Sequence, residues 1–315
     1  MIKVGTRGSP LATRQADGAT SNLVQPYELI TIKSQGDIDQ KTPINEMGGK
    51  HVFCSALEES LIKQEVDCCV HSAKDMATER TEGTEVLGVV WEVGDRRDAL
   101  VGPFENFDSI PSGQRIGTSS PRRADMLQDQ RKDLRFVPIR GNIETRLKLV
   151  GKEVDAIIMA KCALDRLKLN PQHTVIPEEE LLPAAGQGKV VVQVRSEDTK
   201  MKNIWAPEIL EWPTFEYQAE KYLLELVGGD CHTAIGVTAD ARPEKGLLQI
   251  RCSYHNGKNA KHIQEIGPIA EWKKVVHNTV VQSVPYTHLR AHETDSYRGG
   301  GGGGGEKMGG GGGGG

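Results

Sequence analysis

An α/β fold with two similar lobes is predicted by three features of this 315-residue chain. Short β-rich runs alternate with helix-like stretches, which is the pattern of βαβ units. Residues 4–10 and 116–121 both read strand, Gly-Thr, hydroxyl residue, proline and helix. Serine before proline supplies an N-cap and a first-turn proline, and the open N–H groups of such a helix start bind anions. We therefore expect two lobes that face one anion-binding cleft.

The elements are expected in this order, each strand a short β-rich run and each helix a longer periodic stretch. A strand-like run begins at Met1. Further strands are predicted at Tyr27–Lys33, Val66–Val70, Val86–Trp91, Arg135–Ile139, Asp155–Ala160 and Val190–Val194. Helices are predicted at Ser9–Leu23, His51–Gln64, Pro121–Lys132, Ile143–Val150, Lys161–Leu167 and Thr214–Val227. A third region from Trp212 adds strands at Ala234–Ala239 and Leu247–Cys252 and a helix from Ile269.

Composition and charge exclude several classes of protein. A hydrophobic content of 37% and a charged content of 26% fit a globular body, and no run reaches the roughly 18 apolar residues of a membrane span. The net charge is −4, yet residues 115–148 hold nine Lys/Arg against four Asp/Glu. A basic segment in an acidic protein favours a confined anion site. Nucleic-acid binding through that segment is disfavoured, since aromatic residues make up only 5%.

The cysteines and the two ends of the chain add expectations about its environment. The six cysteines form no C-x-x-C pair and have no zinc-ligand spacing, so we expect neither a metal site nor a disulfide framework. The N-terminus has no signal-peptide or transit-peptide pattern, and a reducing cytoplasm is expected. Fourteen of the 36 glycines lie between Gly299 and Gly315. We expect residues 284–315 to be a disordered or artefactual tail, because polyglycine cannot bury apolar surface.

Four arginines near predicted helix starts are the clearest candidates for binding an anion. Arg122 and Arg123 follow Pro121, while Arg140 and Arg146 flank the predicted start of the next helix. A cation there opposes the helix dipole, and an incoming carboxylate or phosphate would relieve that cost and be gripped bidentately. For any one of them a solvated surface position is an equal alternative. Four at two junctions favour an anion site.

Three further segments carry residues that chemistry could use. Lys74 and Asp75 follow a buried-looking strand and could reach a cleft, although a surface ion pair is the alternative; His71 fits a core histidine better than a ligand. Gln187 lies between glycines in a segment typical of a tight crossing between lobes. Cys231 lies on a glycine loop where a thiol could be exposed, although a lone loop cysteine is usually incidental.

Together these segments resemble the porphobilinogen deaminase (hydroxymethylbilane synthase) family. The resemblance covers residues 2–282 and follows the order of the family's motifs. They are the Gly-Thr-Arg opening, Gly48-Gly49-Lys50, His71-Ser72-Ala73-Lys74-Asp75, Gly117 to Arg123, Arg140-Gly141-Asn142 through Arg146, Asp155 to Ile158, Gly186-Gln187-Gly188 and the Cys231 loop.

The resemblance implies a fold, a cofactor and a reaction. It implies two periplasmic-binding-protein-like lobes around a cleft and a small third α/β domain. It also implies a dipyrromethane cofactor, attached covalently through Cys231, and the condensation of four porphobilinogen molecules with loss of ammonia into linear hydroxymethylbilane. Asp75 would be catalytic, holding pyrrole N–H groups and stabilising the cation formed as ammonia leaves. No metal or nucleotide is implied.

Other site residues and the domain boundaries follow from the same resemblance. Cofactor contacts carry over to Lys74, Ser120, Arg122 and Arg123, and substrate contacts to Arg7, Ser9, Arg140, Arg146, Arg166 and Gln187. The expected domains are residues 1–93 with 189–208, residues 94–188, and residues 209–283. We expect a cytoplasmic monomer that binds porphobilinogen and neither nucleic acid nor membrane. A non-catalytic two-lobed receptor for carboxylated anions is the alternative function.

The chain departs from the family's pattern at four positions. Ala77 and Ala234 replace prolines, Asp230 replaces a glycine before the cysteine, and Lys189 stands where a small residue is usual. None of them removes a reacting group, although Asp230 places a negative charge beside the attachment site.

Overall fold

The computed structural model describes residues 1–34, 54–79, 81–229, 234–255 and 260–283, which form three β-sheets with helices packed against them. The strands are β1 Ile2–Arg7, β2 Tyr27–Ile32, β3 Cys68–Ser72, β4 Thr84–Val89, β5 Asp98–Val101, β6 Arg115–Gly117, β7 Arg135–Val137, β8 Ala156–Ala160, β9 His173–Ile176, β10 Val190–Arg195, β11 Ile235–Arg242, β12 Leu247–His255 and β13 Ala260–Pro268. The α-helices are α1 Pro10–Thr20, α2 Ser55–Ile62, α3 Pro121–Gln130, α4 Ile143–Leu147, α5 Lys161–Arg166, α6 Thr199–Trp205, α7 Glu211–Leu226 and α8 Trp272–Ser283. Short 3₁₀ turns lie at Ala73–Asp75, Ala206–Glu208, Pro243–Lys245 and Ile269–Glu271.

The two five-stranded sheets share one topology. Their strand orders are β2-β1-β3-β10-β4 and β7-β6-β8-β5-β9. In each sheet the first three strands are parallel, and the fourth strand is antiparallel to both of its neighbours. That antiparallel strand is in each case the one that the chain forms on arriving from the other sheet. This repetition confirms the predicted α/β fold with two similar lobes.

The paired helix starts that predicted the two lobes are both present. Ser9 caps α1 by accepting a hydrogen bond from the Ala12 amide at 3.2 Å, and Ser120 caps α3 by accepting one from the Arg123 amide at 3.5 Å. Each cap follows a strand at the carboxyl edge of its sheet, where ligands bind in parallel α/β sheets. The local sequence therefore fixes two equivalent helix starts.

The two connections between the sheets run side by side and bond to each other. The Val90 amide donates to the Val190 carbonyl at 3.0 Å, and the Gly94 amide donates to the Gly188 carbonyl at 2.9 Å. Gly188 has a φ of +89°, and a Cβ there would lie 2.5 Å from the Gly94 carbonyl oxygen. Glycine is therefore required at this close approach, which confirms the tight crossing predicted around Gln187.

The central strands of the two five-stranded sheets are buried on both faces, as expected for sheets packed between layers of helices. In β8, Ile157 and Met159 face one hydrophobic cluster with Leu164 of α5, whereas Ile158 faces another cluster with Leu127 of α3. In the third sheet, ordered β11-β12-β13, β12 turns its apolar residues toward a cluster shared with α7 and α8. The helices α7 and α8 therefore close the core of this smaller α/β unit.

The structure adds elements that the sequence did not predict. These are β5, β9, β13 and α6. β3 runs to Ser72 rather than ending at Val70, because it pairs residue by residue with β10 and Ser72 lies opposite Val190. The predicted helix from His51 begins at Ser55 within the described residues, and the predicted tail of residues 284–315 lies outside them. The predicted domain boundaries stay a prediction. No helix in the described ranges is long and apolar enough to cross a membrane.

Candidate active site

Asp75 lies at the carboxyl edge of the first sheet. It ends the 3₁₀ turn Ala73–Asp75 that directly follows β3, and its side chain is 34% exposed. Arg7 is the last residue of the parallel neighbour β1, and its Nη1 atom lies 4.0 Å from Oδ2 of Asp75. Because parallel strands end at the same edge, the fold alone brings this carboxylate and this guanidinium together.

Lys74 and Gln187 connect this edge to the crossing segments. Nζ of Lys74 donates to Oε1 of Gln187 at 3.3 Å. The amide nitrogen of Gln187 donates to the Arg96 carbonyl at 2.7 Å and to Oδ1 of Asp98 at 2.9 Å. Gln187 is only 2% exposed, and both ends of its amide are engaged. Gln187 therefore links Lys74 to Asp98, and its predicted contact with the substrate stays a prediction.

Arg122 and Arg123 are buried and share one carboxylate, that of Asp98. Nη2 of Arg122 lies 2.6 Å from Oδ2 of Asp98, while Nε and Nη2 of Arg123 lie 3.0 and 2.7 Å from Oδ1. Arg122 also donates to the Leu182 carbonyl at 2.6 Å, and Arg123 to the Ile158 carbonyl at 3.2 Å. Burial of both side chains contradicts the solvated-surface alternative, and Asp98 is an internal counter-ion that they share. Their contacts with the cofactor stay a prediction.

Arg146 of the second lobe interacts electrostatically with Asp75 of the first. It lies on α4, and its Nε donates to the Gly141 carbonyl at 2.8 Å. Burial, followed by repulsion from Arg123 and Arg140, lowers the pKa of Arg146 to about 10, and attraction to Asp75 opposes this effect. Arg123, Arg140 and Arg146 of the second lobe therefore share one electrostatic environment with Asp75 of the first.

The pKa values of four cations in the site shift in the opposite direction from those of three ion-paired arginines elsewhere. Burial is the largest cause of a lowered pKa in four site cations, which are Lys74, Arg122, Arg146 and Arg166. A hydrogen-bonded aspartate raises the pKa of three arginines elsewhere, which are Arg97, Arg115 and Arg131. A lowered pKa means that burial destabilises the charged form of the side chain more than the neighbouring groups stabilise it. The site therefore holds positive charge that the protein itself does not fully neutralise.

Arg166 lies beside the crossing segments. Its Nη2 atom donates to the Gly188 carbonyl at 2.6 Å and to the Glu92 carbonyl at 3.4 Å, and its guanidinium lies 4.8 Å from the ring centre of Trp91. These contacts tie α5 to both connections. The predicted contact of Arg166 with the substrate stays a prediction.

Two predicted positions lie outside the described residues. Cys231 belongs to the segment 230–233, and Gly48-Gly49-Lys50 belongs to the segment 35–53. The described helix α7 ends at Leu226, five residues before Cys231.

Two buried charge centres were missed by the sequence analysis. Asp98 lies in the run Asp95-Arg96-Arg97-Asp98, which is typical of a solvated surface, although the apolar Ala-Leu-Val that follows it indicates a buried strand. Lys189 was noted as unusual for its place. Its Nζ atom lies 2.8 Å from Oε1 of Glu220 on α7, with both side chains at most 3% exposed. No local signal pairs Lys189 with a residue 31 positions away.

Comparisons with known proteins identify the family of this chain. Residues 2–203 match the family model described as porphobilinogen deaminase, dipyromethane cofactor binding domain. The porphobilinogen deaminase of Rubrobacter xylanophilus is 40% identical over 255 residues, covering 79% of this chain and 83% of that protein. Those of Syntrophus aciditrophicus (37% identity, 79% and 83%) and Thermobifida fusca (36% identity, 87% and 88%) are similar as well. The chain belongs to the porphobilinogen deaminase family.

Solved structures add no argument to this assignment. An ancestral arginine-binding protein bound to glutamine has a TM-score of 0.38 at 13% identity, covering 66% of this chain and 89% of that one. A TM-score this low supports no conclusion, so the fold rests on the sheet topology described above.

Membership of the porphobilinogen deaminase family makes this chain a transferase of tetrapyrrole biosynthesis with porphobilinogen as substrate and dipyrromethane as cofactor. The side chains present fit that cofactor. Each of its pyrrole rings carries acetate and propionate groups, and the site offers incompletely neutralised cations in both lobes. Nε of Arg122 is buried without a hydrogen-bond partner among the described residues. A polycarboxylate would satisfy such a donor set.

Proposed function

We propose that this chain condenses four porphobilinogen molecules head to tail into hydroxymethylbilane, with Asp75 as its catalytic residue. One ammonia leaves for each unit added, and water finally releases the linear product. The observation that carries this proposal is the placement of Asp75. Its carboxylate is partly exposed at a sheet edge, 4.0 Å from Arg7 and within the electrostatic reach of Arg146 from the other lobe.

The chemistry needs an anion that faces a developing cation. As ammonia leaves porphobilinogen, positive charge spreads over the pyrrole and its methylene carbon. A fixed carboxylate beside that charge lowers the barrier without reorganisation, and its oxygens accept the pyrrole N–H. Asp75 fits this role because its short 3₁₀ turn begins at a buried strand, which fixes the backbone behind the carboxylate.

The family resemblance assigns the surrounding polar residues to two roles. Lys74, Ser120, Arg122 and Arg123 would hold the carboxylates of the dipyrromethane, which supplies the pyrrole to which new rings are added. Arg7, Ser9, Arg140 and Arg146 would hold the acetate and propionate of the incoming porphobilinogen. Arg166 and Gln187 would contact the substrate from beside the crossing segments, where Arg166 donates to the Gly188 carbonyl and Gln187 to the Arg96 carbonyl. Ion pairs of this kind orient a substrate because each guanidinium forms two directed bonds with a carboxylate.

Cys231 is proposed as the covalent anchor of the cofactor through a thioether. In support of this, the other five cysteines of the chain, Cys54, Cys68, Cys69, Cys162 and Cys252, are all buried. Burial also raises the pKa of Cys68 to about 12, so that thiol does not supply a thiolate at neutral pH.

Turnover tests the catalytic assignment. Purified full-length protein is incubated with porphobilinogen, and ammonia and linear tetrapyrrole are followed over time. We expect Asp75→Asn to release ammonia at least about 100-fold more slowly, the range found when one stabilising group is removed from a transition state. Asp95→Asn is the matched control, since Asp95 pairs with the exposed Arg97 on the crossing segment. Near-normal turnover of Asp75→Asn would overturn the assignment.

Intact mass tests the anchor and separates the enzyme from a receptor. The wild-type chain should carry a covalent adduct of two pyrrole rings, and Cys231→Ser should carry none. Cys252→Ser, which changes a buried thiol of the third sheet, should keep the adduct. Bare polypeptide mass in the wild type, even after feeding with porphobilinogen, would instead support the non-catalytic receptor for carboxylated anions.

We further propose that the protein works in the cytoplasm as a monomer and does not bind nucleic acid. The acidic net charge of −4 and the low aromatic content support the last point. Sedimentation velocity and a salt-dependent DNA-binding assay check the oligomeric state and the nucleic-acid prediction.

A further inference from the structure

Asp98 forms ion pairs with the buried guanidinium groups of Arg122 and Arg123. It is the first residue of β5, and it pairs with Ala160, the last residue of β8. Because β5 is antiparallel to β8, its first residue lies at the carboxyl edge where the parallel strands end. The chain thereby places a carboxylate at the same edge as the α3 helix start, although the carboxylate comes from a segment that has just crossed from the other lobe.

The carboxylate of Asp98 is completely enclosed, and all of its described partners belong to the proposed site. Its exposure is 0%, and it accepts hydrogen bonds from Arg122, Arg123 and Gln187 at 2.6 to 3.0 Å. Burial alone would raise the pKa of Asp98, but the two guanidinium groups hold it well below its ordinary value. Asp98 is therefore an anion at neutral pH.

We infer that Asp98 is a positioning residue that sets the direction in which Arg122 and Arg123 face the dipyrromethane. Two arginines and one aspartate together carry a net charge of +1. The hydrogen bonds to the aspartate determine which N–H groups of the arginines remain for a ligand. Through Gln187 the same carboxylate also orients Lys74, whose ammonium lies 3.3 Å from the glutamine oxygen. One buried carboxylate thus sets three of the four proposed cofactor contacts. The inference rests on the proposed function of these contacts.

A purely structural role makes a different prediction from a positioning role. If Asp98 merely neutralises buried charge, its loss lowers stability, and the molecules that still fold and load the cofactor turn over normally. If it positions the arginines, loaded molecules hold the growing chain at a wrong angle to Asp75. In that case kcat per loaded molecule falls, while KM for porphobilinogen changes little, because the incoming substrate is held by other arginines.

The experiment compares Asp98→Asn with wild type and with Asp95→Asn as the matched control on the same segment. Circular dichroism establishes folding, intact mass gives the fraction carrying the adduct, and kcat is divided by that fraction. We expect kcat per loaded molecule to fall at least tenfold for Asp98→Asn, with KM within threefold of wild type. Unchanged kcat per loaded molecule, or a KM effect alone, would overturn the inference.

A second variant keeps the inference testable if Asp98→Asn does not fold. Arg123→Lys retains the positive charge but cannot make the two bonds from Nε and Nη2 to Oδ1 of Asp98. If direction matters as inferred, this variant also loses at least tenfold in kcat per loaded molecule, whereas a loss below threefold would contradict it. A wild-type chain with neither adduct nor turnover would instead defeat the proposed function itself, and this inference with it.

Discussion

His71 should make the stability of this protein fall steeply below pH 6.5. It is a buried residue of β3, four positions before Asp75, and burial is the largest cause that lowers its pKa from 6.5 to about 4. Attraction to Glu58 and Asp75 works against burial, and repulsion from Arg7 adds to it. The histidine is therefore neutral in the folded protein at neutral pH and brings no extra positive charge to Asp75, the proposed catalytic carboxylate.

The magnitude follows from the two pKa values. Above pH 6.5 the ring is neutral whether the chain is folded or unfolded, so it contributes no pH dependence there. Between pH 6.5 and about 4 the unfolded chain binds a proton that the folded one does not, and stability falls as the pH falls. Each pKa unit is worth about 1.4 kcal/mol, so His71 should cost about 3 kcal/mol of stability by pH 4.

Urea denaturation of the cofactor-free protein at pH 7.5 and pH 4 measures this cost. The change in the free energy of unfolding between the two pH values should be about 3 kcal/mol larger for wild type than for His71→Gln, which cannot titrate. Other carboxyl groups titrate in both proteins and cancel in the comparison. His277→Gln, at an exposed position of α8, is the control and should behave like wild type. Equal pH dependence of wild type and His71→Gln would refute the reasoning.

Two further predictions concern the crossing segments. Gly188→Ala should lower the free energy of unfolding by about 3 kcal/mol, because strain at its positive φ is added to a backbone clash. The control is Gly113→Ala, where φ is +81° and no atom lies within 4 Å of the new Cβ, and it should cost about 1 kcal/mol. Equal costs for the two variants would contradict the clash. Lys189→Met should cost about 3 kcal/mol, because it leaves the Glu220 carboxylate buried without its cation. Lys63→Met, which breaks an exposed pair, should cost less than about 0.5 kcal/mol, and thermal or urea unfolding that cannot distinguish the two lysines would argue against the buried pair.

The features that the sequence predicts well are the local ones. The Ser-Pro helix starts at Ser9 and Ser120 follow from capping chemistry within four residues, and both are present. The position of Lys74 and Asp75 at a sheet edge follows from the strand that precedes them. The strand predicted to end at Val70 extends to Ser72, because β10 pairs with it there. Pairing with a distant strand is not visible in the local sequence.

What the sequence could not predict depends on contacts between distant segments. Asp98 meets Arg122 and Arg123 across 24 and 25 positions, and the charges around it are typical of a surface until the antiparallel crossing places it inside. The strand β13 shows a related limit. Five of its nine residues are exposed and none is buried, so its place in the sheet depends on its pairing with β12 and not on an apolar pattern of its own.

Glu220 joins three parts of the molecule at one carboxylate. It accepts hydrogen bonds from the Gly186 amide at 2.8 Å, from the Ala239 amide at 3.2 Å and from Nζ of Lys189 at 2.8 Å. It lies on α7, the helix that leads toward Cys231. These three donors therefore hold this helix against the turn that contains Gln187 and against the third sheet. A shift of the helix relative to either one would have to break hydrogen bonds to a carboxylate that is only 3% exposed.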